Sequence, residues 1–206
     1  MLTKAKSHFF LVLLIVLSAV FIWSVIFPYD RLTWWLEIFP ILIALPFLVF
    51  TYSKFEFTRL TYLLILMHAI ILLIGGHYTY AEVPPFNWLR DTFDLSRNYY
   101  DRVGHFVQGF VPAMVAREIL LKKSPLLIGR WLFFIVVCIC LSISACYEFI
   151  EWWVAVISGT GADAFLGTQG DVWDTQWDMF TALLGAIIAQ LLLARQQDKQ
   201  MGKMRT

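Results

Sequence analysis

The sequence predicts an all-α, polytopic membrane protein, with one integral membrane domain over residues 1–206 and about six transmembrane helices. Of its residues, 60% are hydrophobic and only 15% are charged, which is too apolar for a soluble domain of this size. Apolar runs of roughly 20 residues recur, the length that crosses a bilayer core. Lysine and arginine gather at alternate ends of these runs. The net charge of +1 gives no indication of nucleic acid, so the expected partner is the lipid bilayer.

The predicted spans follow one another along the chain. In order, they cover about residues 8–27, 34–52, 60–76, 100–121, 130–153 and 173–194. The first is too long for the apolar core of a signal peptide and lacks a small-residue cleavage site, so we expect it to stay uncleaved. Pro40 and Pro46 lie within the second, where neighbouring helices can compensate for the lost hydrogen bonds. The fourth is the most polar, and the connection before it, residues 84–98, is expected at the membrane interface.

The fifth span contains the three cysteines. Cys138 and Cys140 point to different faces of a helix, so neither a disulfide nor a metal clip is expected, and the cysteines are predicted to face lipid or to pack in the bundle. The Gly/Thr-rich segment "SGTGADAFLGTQG" then leads to the sixth span. It lacks the lysine of a phosphate-binding loop. We expect a flexible outer connector, with a lid or a re-entrant turn as the alternative.

Basic residues predict the orientation of the spans. With the N-terminus in the cytoplasm, twelve lysines and arginines fall in cytoplasmic segments and four fall on the opposite side. Because positive residues are enriched in cytoplasmic loops, both termini are predicted to be cytoplasmic and the number of spans to be even.

Unusual polar side chains then collect at the outer ends of four spans. His77 ends the third span, and Glu82 follows it. The next three spans each carry a stripe at helical spacing: Asp101, His105 and Gln108 in the fourth, Glu148 and Glu151 in the fifth, and Asp171, Asp174 and Asp178 in the sixth. Because ionisable side chains that face lipid are costly, these stripes are expected to face one another or a wet cavity.

Structural roles compete with a functional one at these positions. Asp171 and Asp174 begin a helix, where carboxylates cap free N–H groups and suit the helix dipole. Asp101 can pair with Arg97 or Arg102. Each of these aspartates therefore has an ordinary explanation that requires no ligand.

The acids of the fifth span are harder to explain in this way. Glu148 and Glu151 end a helix, where the dipole disfavours anions, so they need a countercharge or a proton. His77 has the alternative of a simple interfacial position. His68, alone in mid-span, fits a hydrogen-bonded packing role better than ligation.

Acidic residues outnumber cations at the outer ends, with seven acids against three arginines. Inward-facing carboxylates with histidine match the divalent-metal sites of helix bundles. We predict a divalent metal of unknown identity, with zinc, manganese, iron and magnesium all compatible, and Glu148 or Glu151 as a general base. The predicted ligands are Asp101, His105, Asp174 and Asp178. The rest of the predicted polar cluster is His77, Glu82, Arg102, Gln108 and Asp171.

Five stretches resemble one known family, namely "RLTWWLEIFP", "GGHYTYAEVP", "RNYYDRVGHFVQGF", "YEFIEWW" and "GDVWDTQWDM". They extend over about residues 31–184, and through them the chain is similar to the YjdF-like family of bacterial inner-membrane proteins. The resemblance implies a multi-pass protein of the bacterial inner membrane. It implies no reaction and no catalytic residues, because that family has no assigned function.

Three functions are compatible with this pattern. The first is a metal-dependent hydrolase or transferase acting on a lipid-linked substrate at the outer leaflet. The second is a small ion, proton or solute transporter, because intramembrane acids mark cation pathways, although few polar residues lie in the inner halves of the spans. The third is a structural membrane protein whose acids, arginines and histidines form a buried ion-pair network.

Overall fold

The computed structural model describes residues 4–158 and 163–205, and every regular element within these two ranges is helical. The helices are α1 (Lys4–Val25), α2 (Arg31–Thr51), α3 (Arg59–Tyr78), α4 (Pro84–Phe93), α5 (Tyr100–Lys123), α6 (Arg130–Ser158), α7 (Asp163–Leu166) and α8 (Asp174–Arg205). The all-α class predicted from the sequence is confirmed for this part of the chain.

Five of the described helices, α1, α2, α3, α6 and α8, are long and apolar enough to cross a membrane. Helix α5, the predicted fourth span, has 24 residues, which at 1.5 Å per residue gives about 36 Å. That length would cross a hydrocarbon core of about 30 Å. Its polar residues set it apart from the other five. It packs against α3, α6 and α8, which shelter those residues from lipid.

Two elements differ most from the sequence prediction. Helix α8 extends to Arg205, well beyond the predicted end of the span at residue 194, because "RQQDKQMGKMR" is rich in good helix formers. The predicted interfacial connection at residues 84–98 contains α4. This helix begins with Pro84 and Pro85, which suit the first turn because their missing N–H groups would be unpaired there. It ends at Asp94, whose φ is 51°.

The long helices form two groups of three. Helices α1 and α2 pack on α3, whereas α6 and α8 pack on α5, and α3 joins the groups by packing on α5. Trp34, Ile38 and Leu73 are almost fully buried in the core of the first group. Met114 and Val136 are buried in the core of the second. Along the described residues, α2 and α6 do not pack closely against each other, which leaves a cleft between the groups.

Helices α5 and α8 approach each other backbone to backbone. A Cβ atom added at Gly109 would collide with the carbonyl of Ala182, and one added at Gly185 would collide with the carbonyl of Phe106. Small residues permit such close approach within membranes, where van der Waals packing drives helix association. This contact fixes the starts of α5 and α8 side by side.

A polar network joins α3, α5 and α8 at the end of the bundle opposite to those starts. Glu118 is fully buried, and its carboxylate accepts hydrogen bonds from Thr58, Thr61, Lys122 and Gln197. Arg117 donates two hydrogen bonds, of 2.7 and 3.0 Å, to Asp198. Because the Glu118 carboxylate has partners on several elements, this network has the character of a structural clamp.

A candidate cation site at one end of the bundle

Three helix ends meet at the same level of the bundle. Helices α5 and α8 start there, and α6 ends there, because α6 runs antiparallel to both. The structure thereby brings together seven of the polar residues predicted from the sequence: Asp101, Arg102, His105, Glu148, Asp171, Asp174 and Asp178. Glu151 lies one turn from Glu148 and joins the same group.

Two arginines neutralise the aspartate side of this cluster. Arg97 and Arg102 have side-chain exposures of only 4% and 11%. Arg102 forms ion pairs with Asp178 and, at 2.6 Å, with Asp174. Arg97 pairs with Asp174 and, at 3.3 Å, with Asp101. Buried charges are tolerated when they are paired in this way, so Asp174 has its charge balanced by two cations.

Asp171 combines the pairing and capping roles expected at the start of a helix. It lies 3.2 Å from Arg102, and its carboxylate accepts a hydrogen bond of 2.9 Å from the N–H of Trp173. Such a cap satisfies a backbone donor just before α8. Neither Asp171 nor Asp174 belongs to the groups of ligand atoms described next.

His105 stands between the aspartates and the glutamates. Its Nε2 atom lies 3.4 Å from Asp101 and 3.6 Å from Asp178. Its Nδ1 atom lies 3.0 Å from the Gln108 side-chain oxygen and 3.8 Å from Glu148. A proton on Nδ1 would be donated to the Gln108 oxygen, whereas a proton on Nε2 toward the aspartates leaves Nδ1 a lone pair, toward which Gln108 would turn its amide nitrogen.

Two sets of side chains have the spacing of metal ligands. Potential ligand atoms of Asp101, His105 and Asp178 lie within 4.8 Å of one another, and the same holds for His105, Glu148 and Glu151. Ligand atoms of one tetrahedral ion, at bond lengths of about 2.1 Å, are separated from one another by about 3.4 Å. Both sets would therefore contract by up to about 1.4 Å around a metal.

Glu148 has an unexplained buried oxygen. Its side chain is 6% exposed, and its Oε1 atom has no hydrogen-bond partner within the part of the chain that the structure describes. One turn earlier on α6, the buried hydroxyl of Ser144 is in the same condition. Buried polar atoms are nearly always paired, so such exceptions indicate an ion or a water. Glu148 and Glu151 also form no ion pair with Lys or Arg among the described residues.

Glu37 extends the site onto the first helix group. This residue of α2 is 6% exposed and accepts a hydrogen bond of 3.3 Å from the hydroxyl of Tyr147 on α6. Tyr80 lies beside them, with its ring against Gly75 and Gly104. Burial raises the pKa of Tyr80 well above its ordinary value, so its hydroxyl stays protonated at neutral pH.

A large cavity ends at these residues. It fills the cleft between the two helix groups, has a volume of about 1510 Å³ and is walled almost entirely by apolar side chains. Its polar lining is concentrated at one end, where Glu37, Asp101, His105, Gln108 and Glu151 all contribute. An apolar chamber and an acidic, histidine-containing site are thus parts of one space.

The connection before α8 covers this end of the cavity. Phe165 of α7 is 5% exposed and lines the cavity. The turn that follows is held down, because Arg97 donates to the carbonyl of Gly167 at 3.0 Å and Asn98 and Gln169 exchange two hydrogen bonds. Part of the predicted flexible connector, residues 159–162, lies outside the described residues.

Two predicted cluster members make their contacts elsewhere. The ring of His77 stacks on Trp23 with centroids 4.3 Å apart, and its Nδ1 atom lies 3.1 Å from the carbonyl of Ser24. Glu82 is exposed and accepts a hydrogen bond from Asn87. Neither residue lines the cavity.

Glu37 and the network around Glu118 were not predicted from the sequence. The signal for Glu37 was present, since a lone acid within an apolar span is costly unless it has a function or a partner. Tyr147 carried no such signal, because tyrosine is common in membrane helices. Glu118 was hidden among the charges that end α5.

The comparisons with known proteins agree with the resemblance noted in the sequence. A family model described as "Predicted membrane protein (DUF2238)" matches residues 9–199. The chain belongs to this family. It is also 49% identical, over 185 residues, to "Inner membrane protein YjdF" of Escherichia coli (strain K12), a match that covers 90% of this chain and 88% of the relative. No solved structure matches the chain.

Membership of the DUF2238 family confirms two predictions. The chain is an integral membrane protein, and its location is the bacterial inner membrane, as for the YjdF relative. Neither description names a reaction, a ligand or a partner.

Proposed function

We propose that this protein is a divalent-metal-dependent hydrolase or transferase that acts on a lipid-linked substrate at the periplasmic side of the inner membrane. In this proposal α1, α2, α3, α5, α6 and α8 are six transmembrane helices and both termini are cytoplasmic. The distribution of twelve lysines and arginines against four supports this orientation.

A single observation carries the proposal. The apolar cavity and the group formed by His105 and Glu151 share one continuous space. Substrate sites are typically apolar chambers with a few convergent polar groups. A cavity whose walls lie within membrane helices is accessible to lipids, so the bond to be cleaved or transferred belongs to a lipid-linked molecule.

The ion pairs divide the cluster into two parts with different roles. The aspartates bound by Arg97 and Arg102 form a structural network. For this part of the cluster, the hypothesis of a buried ion-pair network therefore fits. His105, Glu148 and Glu151 then remain as the proposed metal ligands, in place of the predicted set of Asp101, His105, Asp174 and Asp178. The carboxylate of Asp101, near Nε2, would orient the His105 ring in the way that supporting carboxylates orient metal-bound histidines.

The residues of this group fit a divalent cation. A metal bound here would activate water and polarise a phosphoryl or acyl oxygen. Glu148 supplies a buried oxygen without a hydrogen-bond partner among the described residues, which a bound cation would satisfy. Glu151 is the least buried of the three and lines the cavity, so a metal held by these ligands would face the cavity and a substrate within it.

The arrangement argues against a transport pathway. The outer cluster and the network around Glu118 are separated by an apolar core that includes Val107, Val111 and Met114. Between these two ends, the cavity wall is apolar apart from His68 and small or aromatic side chains. A proton or cation path needs more polar residues than this.

Metal content tests the proposed site. Bound metal is removed from the purified protein with a chelator, Zn²⁺ or Mn²⁺ is added back, and the metal content is measured by inductively coupled plasma mass spectrometry. We expect about one metal per chain in the wild type. Loss of a ligand in His105→Ala or Glu148→Gln should lower metal affinity by at least about tenfold.

Asp171→Asn is the matched control, because Asp171 lies at the edge of the arginine network and outside both ligand groups. It should retain the metal of the wild type. The proposal is refuted if the wild type binds no metal, or if His105→Ala and Glu148→Gln bind as much metal as the wild type does.

A further inference from the structure

The length of the cavity limits the length of the hydrocarbon chain that it can hold. On α2 its lining extends from Leu36 to Val49, and on α5 it extends from Asp101 to Ile119. At a rise of 1.5 Å per residue these stretches measure about 20 and 27 Å. The hydrocarbon core is about 30 Å thick, so one leaflet contributes about 15 Å. The cavity therefore continues from the outer site past the middle of the bilayer.

The cavity is open to lipid along one side. Its lining includes Phe47 of α2 and Phe134 of α6, which are 61% and 57% exposed, and these two helices do not pack closely within the described residues. Its floor is formed by α3 and α5. A hydrocarbon chain could enter sideways between α2 and α6 without crossing a polar barrier.

The volume supports a large occupant. At about 1510 Å³ the cavity exceeds the range of about 300–1,000 Å³ typical of pockets for drug-sized ligands. Away from the acidic end its walls are mostly apolar, with Tyr52, Tyr62, His68 and Ser142 as the hydrogen-bonding side chains among the residues that line it. An occupant that matches it has a long apolar body and a polar group at one end only.

We propose that the cleft between α2 and α6 binds a membrane lipid whose hydrocarbon chain is longer than one leaflet, such as a polyprenyl phosphate, with its head group beside His105 and Glu151. This inference rests on the proposed function for the chemistry at the head group, but the chain-binding cleft is a separate surface. Ordinary diacyl lipids have chains matched to one leaflet and would leave the inner half of the cleft without specific contacts.

The proposal predicts a preference for chain length. Purified protein in detergent is titrated with two probes that share a phosphate head, a long-chain polyprenyl phosphate and farnesyl phosphate, and binding is followed by native mass spectrometry. We expect the long chain to bind at least about tenfold more tightly, because van der Waals contacts accumulate along the cleft. A diacyl phosphatidic acid should bind no better than farnesyl phosphate does.

Two alanine positions provide matched variants. Ala44 on α2 is exposed and lines the cavity, whereas Ala19 on α1 is exposed but does not line it. Ala44→Trp should weaken binding of the long-chain probe at least about fivefold by filling the cleft. Ala19→Trp should leave binding unchanged. Ser142→Trp, on the α6 side of the cleft, should act like Ala44→Trp and guards against a misfolded first variant.

The outcomes separate this inference from the proposed function. The titration is run with chelator and with added Zn²⁺, and the chain-length preference should persist in both. If the protein binds no metal but still prefers the long chain, the proposed enzyme is refuted and the cleft assignment stands. Equal affinity for the two prenyl probes, or unchanged binding in both cleft variants, overturns the cleft assignment even if metal binds.

A second copy of the chain is the competing occupant of the cleft. The mass of the protein–detergent complex distinguishes it. A dimer that becomes monomeric in Ala44→Trp, with no lipid bound to the wild type, would also overturn the assignment.

Discussion

At the scale of single residues, the buried acids of this protein divide according to their partners. Glu118 is fully buried and accepts hydrogen bonds from several elements, whereas Glu148 is similarly buried but has one oxygen without a hydrogen-bond partner in the described part of the chain. A satisfied carboxylate stabilises the fold, and an unsatisfied one costs free energy in the absence of a ligand. The two acids should therefore respond oppositely to neutralisation.

Neutralising Glu118 should destabilise the protein. In Glu118→Gln the charged hydrogen bonds to Thr58 and Thr61 and the ion pair with Lys122 are lost or weakened. Hydrogen bonds to charged groups contribute about 1.5–3 kcal/mol each, so we expect the free energy of unfolding to fall by at least about 1.5 kcal/mol. Denaturant-induced unfolding in detergent, followed by tryptophan fluorescence, measures it.

Glu56→Gln is the control for this measurement. Glu56 pairs with Lys6 at 2.9 Å, but both side chains are about one third or more exposed, and exposed pairs contribute about 0–1 kcal/mol. A smaller effect of Glu118→Gln than of Glu56→Gln would contradict the clamp assigned to Glu118.

Removing Arg102 from the network that Arg97 and Arg102 form with the aspartates should destabilise the protein. In Arg102→Met, Asp174 and Asp178 lose a buried partner, and breaking a buried pair in this way costs about 3–5 kcal/mol. Arg102→Lys should recover only part of the loss, because one ammonium cannot reproduce the contacts of a guanidinium. The melting temperature in detergent is the measurement. An unchanged value for Arg102→Met would argue against a structural network.

At the scale of elements, the tight α5–α8 contact should depend on its glycines. In Gly109→Ala the new methyl group would overlap the backbone of Ala182, which a side-chain rotation cannot relieve. Overpacking of this kind typically costs about 1–3 kcal/mol. We expect a lower melting temperature together with weaker metal binding, because the same contact aligns the starts of α5 and α8.

Gly202→Ala, within α8, should stabilise the protein, whereas Gly109→Ala should destabilise it. A Cβ atom at Gly202 would meet nothing within 4 Å, so alanine should raise the free energy of unfolding by about 0.5–1 kcal/mol through its better helix propensity. If both substitutions shifted stability in the same direction, close packing of α5 on α8 would not explain the role of Gly109.

The helices themselves could be predicted because their signals are local. Hydropathy and charge located all six long helices, and α5 matched its predicted start at residue 100. Helix α4 was not predicted because it begins with Pro84 and Pro85. Two consecutive prolines usually indicate a turn, and they are compatible with a helix only in its first turn. The end of α8 was placed too early because hydropathy detects the apolar part of a helix and not the polar turns that continue it.

The site could be predicted only in part. Helical spacing and span order grouped Asp101, His105, Glu148 and Asp178, since both properties follow from the sequence. Two features of the site depend on how the helices rotate about their axes and on which helices become neighbours. They are the pairing of Asp174 with two arginines and the position of Glu37 in the site. Those properties arise from packing between distant parts of the chain, which a single sequence does not encode in any local pattern.

At the scale of the whole molecule, the two helix groups give the protein its asymmetry. One group supplies the charged cluster, the other supplies Glu37, and the cleft between them supplies the apolar space. The α2 side of the cleft contains Pro40 and Pro46, which remove backbone hydrogen bonds and favour kinks. The site is complete only when both helix groups are inserted in the membrane. Helix α5 carries Asp101 and His105 of the site, so whether this polar helix crosses the membrane is the main question about the topology.

Cysteine labelling tests whether α5 crosses the membrane. In a background in which Cys138, Cys140 and Cys146 are replaced by serine or alanine, Ser96→Cys and Gly129→Cys place single thiols before and after α5. Both positions are exposed. If α5 spans with its start outside, a membrane-impermeant maleimide added to intact cells with a permeable outer membrane should label Ser96→Cys, and should label Gly129→Cys only after the inner membrane is disrupted. The flanking Lys122 and Lys123 favour that direction, since they lie at the end assigned to the cytoplasm. Equal labelling of both thiols in intact cells would mean that α5 returns to the side on which it began. The Glu118 network would then share a side with the acidic cluster, and the proposed six-span topology would fail.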